Sequence, residues 1–423
     1  MRRDLENFAG RVALFVLLLL SFASCKAISE DPPVREEKGR TLLIYMAGNN
    51  NLAPYAKSNL EKLMNGYIPV EEGNIVVFYH IAGSDPLLLR LNGENGDVVV
   101  DTVYRFPSLN SASGKTLSSA MNVTRTLFPA KDYGLVLWSH ATGWMPEGSY
   151  GQALAGGSNS IVACSQQPAF PLEGNHDELV KLDRTLFNRN AKEGRTRTFG
   201  SDGTTEMEIA DMVKSMPYRV SFVIFDACFM GGIEVAYQMK DSTDYLLFSP
   251  AEVLAEGFPY DKIAQPLFAS SPDLQKVAEE YYQYYNSQSP PMRSATISLV
   301  KSAALERVAE EAARLFDLYR DKIPMLDKER IQGYFRQAST PFFYDFKDFM
   351  QNLAGEGNSI EDFSVALDEA VVYKAATPYM INLHIDADRY SGLSSYIPDS
   401  SSEELIEFYR TLDWNNAARM IVE

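Results

Sequence analysis

Two stretches, Leu135-Val-Leu-Trp138 running into Ser139 and His140, and Val220-Ser-Phe-Val-Ile-Phe225 running into Asp226 and Cys228, decide how this chain is read. Short, unbroken apolar runs bounded by turn residues read as buried strands of a largely parallel sheet. In open α/β sheets, ligands and chemistry gather at the carboxyl ends of such strands. A histidine at one strand end and a cysteine at another are the parts that thiolate nucleophilic catalysis needs.

Working outward, further strands are predicted at Leu42–Met46, Ile75–Ile81 and Tyr245–Ser249, with a hairpin from Leu87–Leu91 to Val98–Tyr104 around an Asn/Gly/Asp turn. Helical periodicity covers Pro54–Gly66, Gly114–Leu127, Thr204–Met216 and Phe229–Met239. The alternation across residues 41–250 predicts a doubly wound α/β sheet. Beyond about residue 270, helices are predicted at Pro272–Asn286, Ser302–Tyr319, Asp327–Gln337 and Ile360–Lys374, with strands at Ala295–Val300, Ile381–Ile385 and Leu393–Ile397. Residues 141–203 are rich in Gly, Ser, Gln and Asn and read as a long insert.

The 423 residues exceed a comfortable single core, and the net charge of −17 argues against a nucleic-acid partner, which needs a basic face. Arg2, Arg3 and Arg11 precede the apolar stretch Val12–Phe22, too short to span a bilayer comfortably, so residues 1–24 read as a signal peptide. Ser21-Phe-Ala-Ser-Cys25 is similar to a bacterial lipobox, with Cys25 as the lipidated residue and residues 25–39 as a polar tether. Phe22 stands where Leu is usual, which keeps plain secretion as the alternative. The mature protein is thus read as an exported, membrane-anchored lipoprotein, periplasmic or on the cell surface.

Cys164 and Cys228 remain, as a disulfide, as a buried structural cysteine, or with Cys228 as a reactive thiol; its place at a strand end favours the last. No His/Cys cluster has metal-ligand spacing. His140 is the natural base, and the backbone N–H groups of Cys228 and Ala141 are candidate oxyanion donors. Asp226 shares a strand face with Cys228 and would orient the site or bind a cationic group.

Together, Ser139-His140-Ala-Thr-Gly-Trp144 and Phe225-Asp-Ala-Cys228-Phe-Met-Gly-Gly232 resemble the clostripain family of cysteine peptidases. Tyr45-Met-Ala-Gly-Asn-Asn-Asn-Leu52 and Tyr390-Ser-Gly-Leu-Ser-Ser-Tyr-Ile-Pro398 extend the resemblance over roughly residues 41–398. It implies a caspase-like three-layer α/β/α sandwich at residues 40–270, with a helical extension at 271–423 packed on or completing it. It also implies a His140/Cys228 dyad, no resident cofactor (calcium dependence being an open property of the family), and a peptide or protein substrate cut after Arg or Lys. Asp226 then lies near the base of the substrate pocket, with Glu252 or Glu256 as a further pocket acid. Lys192, Arg195 and Arg197 offer a self-cleavage stretch between His and Cys. Ala141 stands where the family has Gly, and Asn49 where it has Asp. The competing readings are peptide ligation or a non-basic P1 residue on the same dyad, and a catalytically inactive caspase-like surface binding protein.

Overall fold

The structure, a computed structural model, describes residues 36–69, 71–94, 97–146, 199–202, 205–336, 342–399 and 402–422. Cys25, the tether up to residue 35, Cys164 and the Lys192–Arg197 stretch lie outside the described residues; the end of the predicted tether, Lys38 and Gly39, already belongs to the first strand.

Fifteen strands are described: β1 (Lys38–Gly48), β2 (Gly73–Ile81), β3 (Leu87–Glu94), β4 (Asp97–Arg105), β5 (Ala130–Trp138), β6 (Phe199–Asp202), β7 (Thr205–Met207), β8 (Val220–Asp226), β9 (Thr243–Phe248), β10 (Thr296–Lys301), β11 (Tyr344–Asp345), β12 (Val371–Ala376), β13 (Tyr379–Met380), β14 (Leu383–His384) and β15 (Ser394–Ser395). Nine of them make one sheet, in the order β12-β10-β9-β8-β5-β1-β2-β3-β4. The five central strands, from β9 to β2, are parallel, as the continuous apolar runs require. Leu135, Leu137, Phe222, Val223, Ile224 and Phe225 are wholly buried. Antiparallel strands close both edges, β3-β4 on one side and β10-β12 on the other.

Helices fall into two packed groups. Ala53–Met64, Tyr260–Leu267 and Leu274–Asn286 form one; Gly114–Leu127, Ile209–Ser215, Ile233–Met239, Leu305–Tyr319, Phe346–Ala354, Glu361–Ala370, Glu403–Arg410 and Asp413–Ala418 form the other. Residues 37–423 make one compact unit, and its last third supplies β10 and β12 to the common sheet.

Several boundaries differ from the sequence reading. The helix predicted from Thr204 starts at Ile209, because Thr205–Met207 pairs with Phe199–Asp202 instead. The helix predicted from Phe229 starts at Ile233: the turn before it follows the adjoining loop, with Phe229 N–H donating to Ala251 O (2.8 Å) and Gly231 N–H to Ser249 O (2.8 Å). In place of the helix predicted over Asp327–Gln337, the described residues to Arg336 carry only a short 3₁₀ turn at Lys328–Arg330. The Ile360–Lys374 pattern splits into a helix and β12, where the β-branched Val371 and Val372 take over. Ile381–Ile385 and Leu393–Ile397 keep only two-residue strands.

Candidate active site

Register places the two reactive side chains side by side. β5 and β8 are parallel neighbours, with Trp138 opposite Asp226, so His140 and Cys228 each lie two residues past matched positions. Ser139 N–H donates to Asp226 O at 3.4 Å, continuing the pairing one step beyond the strands. The turns that follow also touch: Gly143 has φ 69°, and a side chain there would meet Phe229 O at 2.6 Å. Phe229, directly after the nucleophile, is itself held at φ 60°, a costly setting for a bulky residue. Its ring stacks on Phe343 with centroids 4.7 Å apart, which helps to hold that backbone in place.

The His140 ring is fixed from the end of β1. Its Nε2 lies 2.7 Å from Asn51 Oδ1. With Nε2 donating to that amide oxygen, Nδ1 would carry the lone pair. That is the tautomer a general base needs.

Cys228 is a free, buried thiol, which removes the disulfide reading. Sγ accepts from Val253 N–H at 3.2 Å and lies 3.5 Å from Val253 O. Burial pushes the thiol up to about 12; Glu252 and Asp226 add to this, while Val253 N–H and Arg336 oppose it. His140, Cys228 and Asp226 line one cleft with Leu52, Trp138, Ser139, Ala227, Val253, Leu254 and Ala255. Its volume is about 20 Å³, room for about one water molecule and not for an arginine side chain. The loop Val253–Ala255 therefore closes the cleft in this form. Outside the sheet ladders, neither the Ala141 nor the Cys228 N–H is engaged by a backbone acceptor among the described residues, as an oxyanion donor requires.

Of the three acids read as pocket residues, only Asp226 reaches the cleft. Its Oδ2 accepts from Phe258 N–H at 3.1 Å and from Tyr260 OH at 2.9 Å, leaving Oδ1 as the remaining acceptor. A side chain at Gly257 (φ 64°) would press into Oδ2, so the loop needs glycine there. Glu252 is corrected: it turns away from the cleft into a buried ion pair with Arg336, Oε2 to Nε 2.9 Å. Two carboxylates beside one thiol would be hard to keep ionised, and the pair neutralises one of them. Glu256 lies outside the cleft lining; its carbonyl accepts from Lys62 Nζ at 2.9 Å, and its Oε2 is buried without a hydrogen-bond partner among the described residues. Burial lowers the Lys62 pKa, opposed by Asp226, Glu256 and Asp261.

Asp226 is pushed from 3.8 up to about 6 by burial, against Phe258 N–H, Tyr260 OH and Lys62. The folded state thus holds this proton more tightly than the unfolded chain. The resulting stability is fully present below pH 3.8 and is lost as pH rises through about 6. Asp226→Asn should flatten that fall in urea-denaturation series across this window. Glu234, pushed to about 7 by its own burial, and Asp345, pushed to about 6, keep a residual slope.

Sequence reasoning missed Asn51, Asp202 and Arg336. Asn51 had a usable signal, since an Asn-rich turn at the end of the strand next to β5 must face His140. Among the described residues no group of three or more His, Cys, Asp or Glu side chains is placed to hold a metal ion.

The sequence pattern of the clostripain family matches residues 44–155 and 186–418. The chain is similar to an inactive zymogen C11 protease from Parabacteroides distasonis, at 28% identity and TM-score 0.71, covering 91% of this chain and 99% of that one. It also shares its fold with a secreted C11 cysteine protease from Bacteroides thetaiotaomicron solved with an irreversible peptide inhibitor, at 24% identity and TM-score 0.67, covering 90% and 99%. No curated protein is matched by the chain. A histidine and a cysteine at matched ends of adjacent parallel strands, within this match, place the chain in the clostripain family of cysteine peptidases.

Proposed function

We propose that this chain is an exported cysteine endopeptidase that cuts after Arg or Lys, and that the closed cleft is its latent form. The observation that carries the reading is the common cleft of His140, Cys228 and Asp226. His140 Nδ1 takes the thiol proton, Sγ attacks the scissile carbonyl, and the Cys228 and Ala141 N–H groups receive the oxyanion. The imidazolium then protonates the leaving amine, and water, deprotonated by His140, hydrolyses the thioester. Asp226 Oδ1 is the acceptor for a substrate cation once Val253–Ala255 moves, with Glu256 at the outer edge of the pocket.

Export rests on the signal-like N-terminus, and anchoring on lipidation of Cys25. Among the described residues no helix is long and apolar enough to cross a membrane. Self-cleavage at Lys192, Arg195 or Arg197 is the proposed activating event, with His and Cys then on separate fragments. The similar zymogen and the closed cleft support latency.

The test incubates residues 26–423 with fluorogenic peptides bearing Arg, Lys, Asp, Asn or Leu at P1. Cleavage of the Arg and Lys peptides alone is the expected result, and Glu256→Ala should lower it about tenfold while sparing any neutral-P1 turnover. Wild type should give two fragments and Cys228→Ala one band. Cleavage only after neutral residues would overturn the specificity. Cleavage of none, even after nicking at 192–197, would favour the binding-protein reading.

A further inference from the structure

A second polar cluster, outside the cleft, converges on His140 from behind. Asp202 closes β6, its side chain only 11% exposed. Its Oδ1 accepts from Asn49 Nδ2 at 2.7 Å; its Oδ2 accepts from Ser111 N–H at 2.7 Å and Ser111 Oγ at 3.0 Å. Its backbone carbonyl accepts from Asn110 Nδ2 at 3.1 Å. His80 Nδ1 lies 3.3 Å from Oδ2 but is not aligned as a hydrogen bond.

The titratable groups facing this carboxylate are neutral ones. Burial lowers the His80 pKa, against Asp202 and Asp85, and burial with Asp202 keeps the Tyr45 phenol protonated. The groups that donate to the Asp202 side chain are uncharged: an amide, a backbone N–H and a hydroxyl. Two routes lead from it to His140. Asn49 sits two residues before Asn51, which holds the imidazole. On the other side, Gly200 N–H donates to His140 O at 2.9 Å, and Phe199 bridges to Ala141.

We propose that Asp202 is a positioning residue for His140, fastening both the loop that grips the ring and the strand that grips its backbone. The proposal rests on the His140/Cys228 reading. It also accounts for Asn49: a carboxylate there would face Asp202 at 2.7 Å, and only one of the two could ionise easily. The amide supplies the donor that the cluster needs.

The experiment compares Asn49→Asp, Asp202→Ala and the exchange Asn49→Asp/Asp202→Asn with wild type and Cys228→Ala. The readouts are kcat and KM on a peptide that wild type cleaves, and the rate of Cys228 alkylation by iodoacetamide followed by mass spectrometry, which needs no substrate. Asn49→Asp should lower kcat about 30-fold at about pH 8 with KM within about twofold, the size of effect that a misplaced catalytic group produces. At about pH 5, where crowded carboxylates take up a proton more readily, the deficit should shrink to about threefold. The exchange restores one donor and one acceptor and should return kcat to within about threefold of wild type at both pH values. Asp202→Ala should lose kcat at both pH values alike. Alkylation should follow the same order.

Full activity in Asn49→Asp at the higher pH, or an exchange variant worse than Asn49→Asp, overturns the positioning role while leaving the dyad intact. Hydrolysis that survives in Cys228→Ala overturns the dyad itself.

Discussion

Cys228→Ala is expected to lower kcat for peptide hydrolysis by about 10⁴-fold or more, His140→Ala by a similar factor, and the double variant no further than the worse single one. The two side chains act as a unit: a thiol pushed up to about 12 by burial supplies almost no thiolate unaided. His140, whose Nε2 is committed to Asn51 at 2.7 Å, offers Nδ1 as the base. Losing either partner leaves only binding and the oxyanion donors. KM should move little, since neither side chain anchors the substrate. Multiplicative losses in the double variant would show that the two act independently, contrary to a dyad.

Breaking the Glu252–Arg336 pair is expected to cost about 3–5 kcal/mol of folding stability, whichever partner is removed. Glu252 is fully buried and the Arg336 side chain 6% exposed, so solvent screens the survivor poorly. The cost is mainly that of an uncompensated buried charge. The double change Glu252→Leu/Arg336→Met removes both charges and should cost far less than either Glu252→Leu or Arg336→Met alone. Urea denaturation of the four proteins measures the cycle. The pair also ties the Ser249–Tyr260 loop to the segment before Phe342, and Val253, next to Glu252, holds the nucleophile's sulfur. The single variants should therefore also alkylate faster at Cys228.

The sequence made the centre of the sheet legible because five parallel strands buried on both faces leave continuous apolar runs. Edge placement was less legible: β10 read as a strand, but the start of β12 read as the end of a helix, and nothing local says that either joins the main sheet antiparallel. Helix starts at Thr204 and Phe229 failed where a strand pairing or a loop contact took the first turn. The same division holds at the site. His140, Asp226 and Cys228 were readable because strand ends announce themselves. Arg336 was not, since its partner lies 84 residues away and an arginine after an aromatic pair carries no local signal. Asp202 likewise meets Asn49 across 153 residues. Glu252 was misread for the same reason: an acid in the right loop was taken for a pocket acid, when a distant cation had already claimed it.

The most direct test of the central claim is to treat residues 26–423, nicked at 192–197, with an irreversible peptide electrophile carrying Arg at P1, and to map the adduct by mass spectrometry. The account predicts one adduct per chain, on Cys228, absent in His140→Ala and slowed by an Arg competitor. An adduct on Cys164, or full labelling of Cys228 in His140→Ala, would contradict it.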